Sequence, residues 1–242
     1  DGVIKKLNDP IGSYVPETKG TLYEGVSIRS MINMSAGDSS YFGDKYTLTA
    51  YGLPIMVEGK SIKSMLEGSR GISRSDNSGF YYSNILPDII ARAIHLNVHS
   101  GIANYFYTKI ANRAKTASEM IFLKDKNNWQ ILFASLYVTR MDFLRFGILI
   151  SSEWKSATCI GSYLKNLYDK RVNTGQKMDG FSAQGYGGFF WMNKENLSFP
   201  HLQMRGHGGQ RITINLETGA ILAIHAIRKN FDSRKLERIF FN

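Results

Sequence analysis

The 242-residue sequence contains a single cysteine, Cys159, so no disulfide can form within it and a disulfide scaffold is excluded. Proline is scarce, with five residues, and no proline-rich or other low-complexity run marks a linker or stalk. No internal repeat is present. Long hydrophobic runs are also missing. Phe146–Ile150 and Ala220–Ile227 are far shorter than the ~20 apolar residues that cross a bilayer. Residues 1–16 carry Asp, Lys and two prolines and do not read as a cleavable signal peptide. Blocks of like charge are lacking too. The net charge is +10, from 30 Lys and Arg against 20 Asp and Glu, but the basic residues come as scattered pairs such as Lys5-Lys6, Lys124 and Lys126, and Lys170-Arg171. That pattern describes a basic solvated surface, and a nucleic-acid partner would rest on net charge alone, so none is expected.

What is present is enough apolar material, 43% of residues, to bury a substantial core. The spacing of Ile28, Met31 and Ile32 predicts a short helix after Ser27, closed by Gly37, and Ser61–Leu66 predicts another. Leu86, Ile89, Ile90, Ala93 and Ile94 recur every three or four residues and predict a longer helix that opens at Asn84. Further helices are expected at about 101–111 and 141–150. The end of the chain changes period. Ile212, Ile214 and Leu216 alternate with polar residues, Glu217-Thr218-Gly219 makes a turn, and Ala220–Ile227 returns as a strand expected to be covered on both faces. Asp232 or Ser233 then caps a last helix, with Leu236, Ile239 and Phe240 expected inward. The fold class is α+β: one domain, with a helical region over about 38–180 and a sheet-forming part over about 181–242.

Two segments could carry chemistry. Tyr82-Ser83-Asn84 stands where a helix begins, so its polar groups can be caps. In an extended loop, however, Tyr82 and Asn84 would share one face and could line a cleft. Arg205-Gly206-His207-Gly208-Gly209-Gln210 precedes a strand. Its glycines fit either a bulge at a sheet edge or a backbone that approaches a ligand and donates to a developing oxyanion. His95 and His99 have the four-residue spacing of a metal pair, but Leu96 follows His95 where a metalloprotease motif would have Glu, and no third ligand is evident; no metal or other cofactor is expected. Ser152-Glu153-Trp154-Lys155 matches the Ser-x-x-Lys spacing of an activated serine, yet follows an apolar run where a helix should end in solvent, and it reads as a chance match.

The order of these pieces resembles serine hydrolases related to class C β-lactamases, a superfamily that also holds penicillin-binding-type peptidases, esterases and 6-aminohexanoate-oligomer hydrolases. Residues 1–37, with Asp9-Pro10, Tyr14-Val15-Pro16 and Met34-Ser35-Ala36-Gly37, look like its segment after the nucleophile helix. YSNILPDIIARAIHLNVHSGIANYF looks like its Tyr-x-Asn motif and following helix, and LYVTRMDFLRFGILI resembles its Thr-Arg-x-Asp helix. GYGGFFWMN and GHGGQRITINLETG resemble its two late strands, the second carrying the third motif. The resemblance implies a β-lactamase/transpeptidase-like fold and acyl transfer to water through an acyl-enzyme. Tyr82 would be the general base and acid, and Asn84 the substrate-orienting amide. His207 would stand where lysine is frequent, Gly209 would allow close backbone approach, and the Gln210 N–H would lie in the oxyanion hole.

The sequence departs from that pattern at two points. The Ser-x-x-Lys nucleophile pair would lie upstream of Asp1, as would the N-terminal strands of the sheet. That makes a missing N-terminal segment of the same protein the expected partner. His207 in place of lysine removes a permanent cation, which favours small-molecule esters or less anionic amides over β-lactams as substrates. The alternative is a non-catalytic member of the fold that binds a ligand or cell-wall component. The resemblance suggests a bacterial envelope or secreted setting, although cytoplasmic members exist.

Overall fold

A computed structural model describes residues 2–43, 45, 47–75, 79–134, 136–175, 177–178, 181–194, 197–227 and 231–241. The chain forms two compact units. The first comprises residues 1–106 and 121–137, and the second residues 107–120 and 138–242.

The first unit is mostly short helices: α1 (Ile28–Ile32), α2 (Ser39–Phe42), α3 (Leu53–Met56), α4 (Ile62–Glu67), α5 (Ile85–Asn97) and α6 (Gly101–Phe106). A small antiparallel pair, β1 (Ile121–Phe122) with β2 (Leu136–Tyr137), completes it. Side-chain caps explain where two of the helices begin. Ser27 accepts the Ser30 N–H at 3.1 Å, and Ser61 and Ser64 form a reciprocal capping box at the start of α4. Helix α5 is the central element. Ile85, Leu86, Ile89 and Ala93 are fully buried, whereas Ile90 and Ile94 are only half-buried. Gly37 does not close α1, contrary to the sequence-based expectation: the helix ends at Ile32 with Asn33 as its cap. Gly37 instead has φ +75°, and its carbonyl accepts the Ser75 N–H at 2.9 Å.

The second unit contains α7 (Asn112–Ala114), α8 (Arg140–Lys155), α9 (Cys159–Asp169), a six-stranded antiparallel meander and α10 (Ser233–Phe241). The strands are β3 (Lys177–Met178), β4 (Phe181–Gly187), β5 (Phe190–Lys194), β6 (His201–Arg205), β7 (Arg211–Asn215) and β8 (Ile221–Ile224), each paired with its sequence neighbour. Thr139 caps α8 and Thr158 caps α9, each accepting an N–H three residues on. The helix expected at 141–150 thus runs to Lys155, whose ammonium donates to Thr218 O at 2.8 Å and holds the β7–β8 turn. Ser152, on the same stretch, is exposed.

Two expectations about the chain's end are corrected. The strand covered on both faces is β7, in which every residue is buried; β8 is half-buried over most of its length and ends the sheet. Helix α8 covers one face of β7 and α10 the other. The approach of α8 is close because Gly147 has no side chain: a Cβ there would lie 3.0 Å from Ile212 Cγ2 and 2.8 Å from Ile221 Cγ2. Helix α10 is turned opposite to its apolar pattern. Leu236, Ile239 and Phe240 are exposed, while Glu237 is fully buried. The reason lies in what it covers, since that face of β7 presents Arg211 and Thr213, both of which donate to Glu237.

No helix among the described residues is long and apolar enough to cross a membrane.

The α8–sheet contact leaves no room for growth at residue 147. Gly147→Val should destabilise the protein by about 2 kcal/mol or more, the cost of overpacking exceeding the gain in helix propensity. Adding Ile221→Ala should recover part of that loss in urea unfolding, because it removes the nearer clashing methyl.

Candidate active site

In the first unit, residues 80–84 lead into α5 through an ordered loop. Tyr81 N–H donates to Met34 O at 2.8 Å, and Thr47 Oγ1 donates to Tyr82 O at 3.1 Å. Ser83 points inward and is fully buried, with its N–H 3.4 Å from Met34 Sδ. Met34 itself has φ +53°, a conformation that a side-chain-bearing residue adopts only when its surroundings enforce it. Asn84 is buried in helical backbone geometry, yet its side chain makes no capping hydrogen bond to α5. Ser83 Oγ makes no hydrogen bond either. Capping therefore does not account for either residue. Tyr82 and Asn84 flank an inward-pointing Ser83, which seats the tripeptide on the core.

Beneath Ser83 lies Asp38, which is fully buried. Its Oδ2 accepts the Tyr23 hydroxyl at 3.1 Å, while Oδ1 has no hydrogen-bond partner. Burial pushes the Asp38 carboxyl up to about 6, a rise limited by the neighbouring Ser83 hydroxyl, by its own backbone and by Tyr23. The Ser83 hydroxyl lies against the carboxyl without standard hydrogen-bond geometry. One turn into α5, Asp88 is buried with Tyr51 donating to Oδ2 at 2.7 Å and Leu132 N–H donating to Oδ1 at 2.6 Å. Burial raises its carboxyl to about 7 despite these donors, with Asp125 adding to the rise. Tyr23 and Tyr51 are held well above the usual phenol range by burial and by these carboxylates. Sequence reading missed both acids. Asp38 sits in an ordinary Gly-Asp-Ser turn sequence, and Asp88 lies on the side of the predicted helix opposite its apolar stripe, where an acid is expected in solvent.

In the second unit, His207, Gly209 and Gln210 share one tight turn between β6 and β7. Strand pairing ends at Arg205 opposite Arg211, and Gly206 N–H closes the turn on Gln210 O at 2.9 Å. Gly208 and Gly209 have φ of +78° and +89°, left-handed values that glycine tolerates without strain. Gly209 also packs against Phe231, where a Cβ would sit 3.3 Å from the ring. His207 and Gln210 are exposed. The expected residues thus fall into two groups, Tyr82 with Asn84 in the first unit and the 207–210 turn in the second.

His201 and His225 behave as packing groups, whereas His95 is half-buried and His99 exposed. His201 is buried with Nδ1 3.0 Å from Phe199 O, and the His225 ring packs 4.9 Å from Phe143. Among the described residues no group of three or more His, Cys, Asp or Glu side chains could hold a metal ion.

No family model matches the chain, and no curated protein matches it. Solved structures do. One assigned as a 6-aminohexanoate-dimer hydrolase from Bacillus anthracis has a TM-score of 0.74 at 15% identity, with 97% of this chain and 64% of that one covered. The D-stereospecific amidohydrolase from a Streptomyces species gives 0.72 at 15% identity, with 99% and 80% covered. A penicillin binding protein from Bacillus halodurans gives 0.68 at 12% identity, again with 99% and 80% covered. The chain therefore spans less than two thirds of the first of these structures. At such identities the likeness establishes the fold, which is the β-lactamase/transpeptidase-like α+β arrangement.

The raised carboxyls set a pH dependence. Between about pH 4, where an unfolded carboxyl titrates, and about 7, folded Asp88 keeps a proton that the unfolded chain releases. Its contribution to stability is full below that window and is lost as pH rises through it. Asp38 acts in the same direction up to about pH 6. Asp88→Asn, neutral throughout, should flatten the fall in melting temperature between about pH 4 and 7. An unchanged slope would show that Asp88 is ionised in the folded protein across that range.

Proposed function

We propose that the whole protein is a serine hydrolase that transfers the acyl group of a small ester or amide to water through an acyl-enzyme. The reading is supported by a fold shared with two hydrolases over nearly the full chain. The observation that carries it is local: Asn84 stands at the start of α5 without capping it, beside a Tyr82 whose carbonyl is tied down by Thr47. In this reading the serine nucleophile belongs to the portion of the fold that residues 1–242 do not span.

The roles follow from the chemistry. Attack by a serine hydroxyl on the carbonyl carbon requires a base for its proton and a donor to the departing alcohol or amine. Tyr82 serves both steps in turn, taking the serine proton and then giving it to the leaving group. The Asn84 amide offers a donor and an acceptor to fix the acyl substituent. The two left-handed glycines bring bare backbone to the surface of the 206–210 turn, where the Gln210 N–H meets the developing oxyanion. The His207 imidazole, unlike an ammonium, is not a permanent cation, which favours neutral esters and amides over anionic β-lactams.

In the full-length protein, wild type should hydrolyse p-nitrophenyl esters and take up a fluorophosphonate probe. Tyr82→Phe should lower kcat/KM by about 10²–10⁴, the range for loss of a general base. Wild-type protein that neither hydrolyses these esters nor takes up the probe would rule out the catalytic reading and leave a ligand-binding role.

A further inference from the structure

The turn between β6 and β7 is braced from the far side of the sheet. Glu237, on α10, is fully buried and receives three hydrogen bonds. Arg211 Nη1 donates to Oε2 at 2.7 Å, Thr213 Oγ1 donates to Oε1 at 2.6 Å, and Gln203 Nε2 donates to Oε1 at 2.5 Å. Gln203 also donates to Thr213 Oγ1 at 2.7 Å, and its Oε1 accepts from Arg205 Nε at 2.5 Å. Arg205 in addition lies over the Trp191 ring, 4.9 Å from its centroid. Arg205 and Arg211 are the paired residues at the mouth of the 206–210 turn. One carboxylate therefore holds both stems of that turn, directly through Arg211 and through Gln203 to Arg205.

This arrangement is costly as mere stabilisation. Two charged groups have been taken out of water where an apolar pair of similar volume would commonly do as well or better. It also overrides the amphipathic pattern of α10, leaving Leu236, Ile239 and Phe240 exposed so that Glu237 can face the sheet. What the ion pair supplies and an apolar contact does not is direction. A carboxylate with three donors fixes where the Arg211 guanidinium lies, and Gln203 fixes Arg205 in turn. The two glycines inside the turn have no side chains of their own to anchor it, so the stems are one of the contacts that set its shape, together with the Gly206–Gln210 hydrogen bond and the packing of Gly209 on Phe231.

We propose that Glu237 is a positioning residue for the 206–210 turn: through Arg211, Gln203 and Arg205 it sets the backbone that the proposed reaction uses as its oxyanion side. The proposal rests on the hydrolase reading for its catalytic consequence, but the bracing of the turn can be measured without activity.

The test compares full-length wild type, Glu237→Gln and the apolar double variant Arg211→Met/Glu237→Leu by amide hydrogen exchange and ester kinetics. In Glu237→Gln, exchange over residues 206–210 should rise about tenfold, the scale of one lost hydrogen bond to a charged group, with β7 amides at 212–214 unchanged. The double variant should regain the wild-type melting temperature yet keep the fast-exchanging turn. If wild type hydrolyses esters, kcat should fall about tenfold in both variants at near-constant KM, as for an interaction made in the transition state. Wild-type turn exchange and kcat in the double variant would overturn the proposal and leave the cluster a stabilising contact only. Acceleration spread evenly over the second unit in Glu237→Gln would overturn it too. An inert wild type with the expected exchange pattern would refute the hydrolase reading and keep the brace.

Discussion

A carboxylate removed from water is costly unless donors surround it, and the architecture of both units is organised around meeting that demand. Asp142 shows the full form. It is buried at the start of α8 and accepts Ala117 N–H at 2.9 Å, Ser118 N–H at 3.1 Å, Thr139 Oγ1 at 3.0 Å and Arg145 Nη1 at 2.7 Å. Burial alone would raise its carboxyl, but these donors outweigh it and hold the group down to about 2. The same contacts cap the longest helix and tie residues 117–118 to it, so meeting one acid's demand fixes the relative place of three segments. Asp88 joins α5 to Tyr51 and to the 132–133 backbone in the first unit, although there burial outweighs the donors and its carboxyl stays raised.

The parts of the fold legible in the sequence are those governed by local rules. Ser61 begins a helix because a hydroxyl can accept an N–H three residues on, and the β7–β8 hairpin follows from alternation around Glu217-Thr218-Gly219. The caps at Thr139 and Thr158 obey the same rule, but neither they nor α9 as a whole were read from the sequence. The apolar face of α5 is legible for the same reason. Illegible were the features decided by what an element packs against. Helix α10 has apolar residues at Leu236, Ile239 and Phe240, and by periodicity these should be buried. The sheet face beneath it is lined by Arg211 and Thr213, so the buried position goes to Glu237 instead. The doubly covered strand is β7 and not β8 because cover comes from α8 and α10, whose seats depend on Gly147 and Glu237, residues far away in sequence.

The candidate site divides along the same line. Tyr82, Asn84 and the His207–Gln210 turn stood out by motif and order, since they are exposed to sequence inspection as unusual residues at element boundaries. Their supports did not. Asp38 beneath Ser83, and Glu237 beneath Arg211, are ordinary acids in ordinary positions until the fold places them. A motif marks candidate groups at element boundaries, whereas the groups that hold the motif are recognisable only by burial and partners.

The two buried acids, each within its own unit, differ in the donors that reach them. Glu237 accepts from Arg211, Thr213 and Gln203. Asp38 meets fewer donors: Oδ2 accepts from Tyr23, while Oδ1 and the facing Ser83 hydroxyl make no hydrogen bond of standard geometry. Burial raises the Asp38 carboxyl to about 6, and the Ser83 hydroxyl, its own backbone and Tyr23 limit that rise. The stems of the 206–210 turn therefore stand on one carboxylate that gathers several donors, and Ser83 stands on an acid with fewer. The difference lies in the donors each acid meets, a property set by packing and not by either motif.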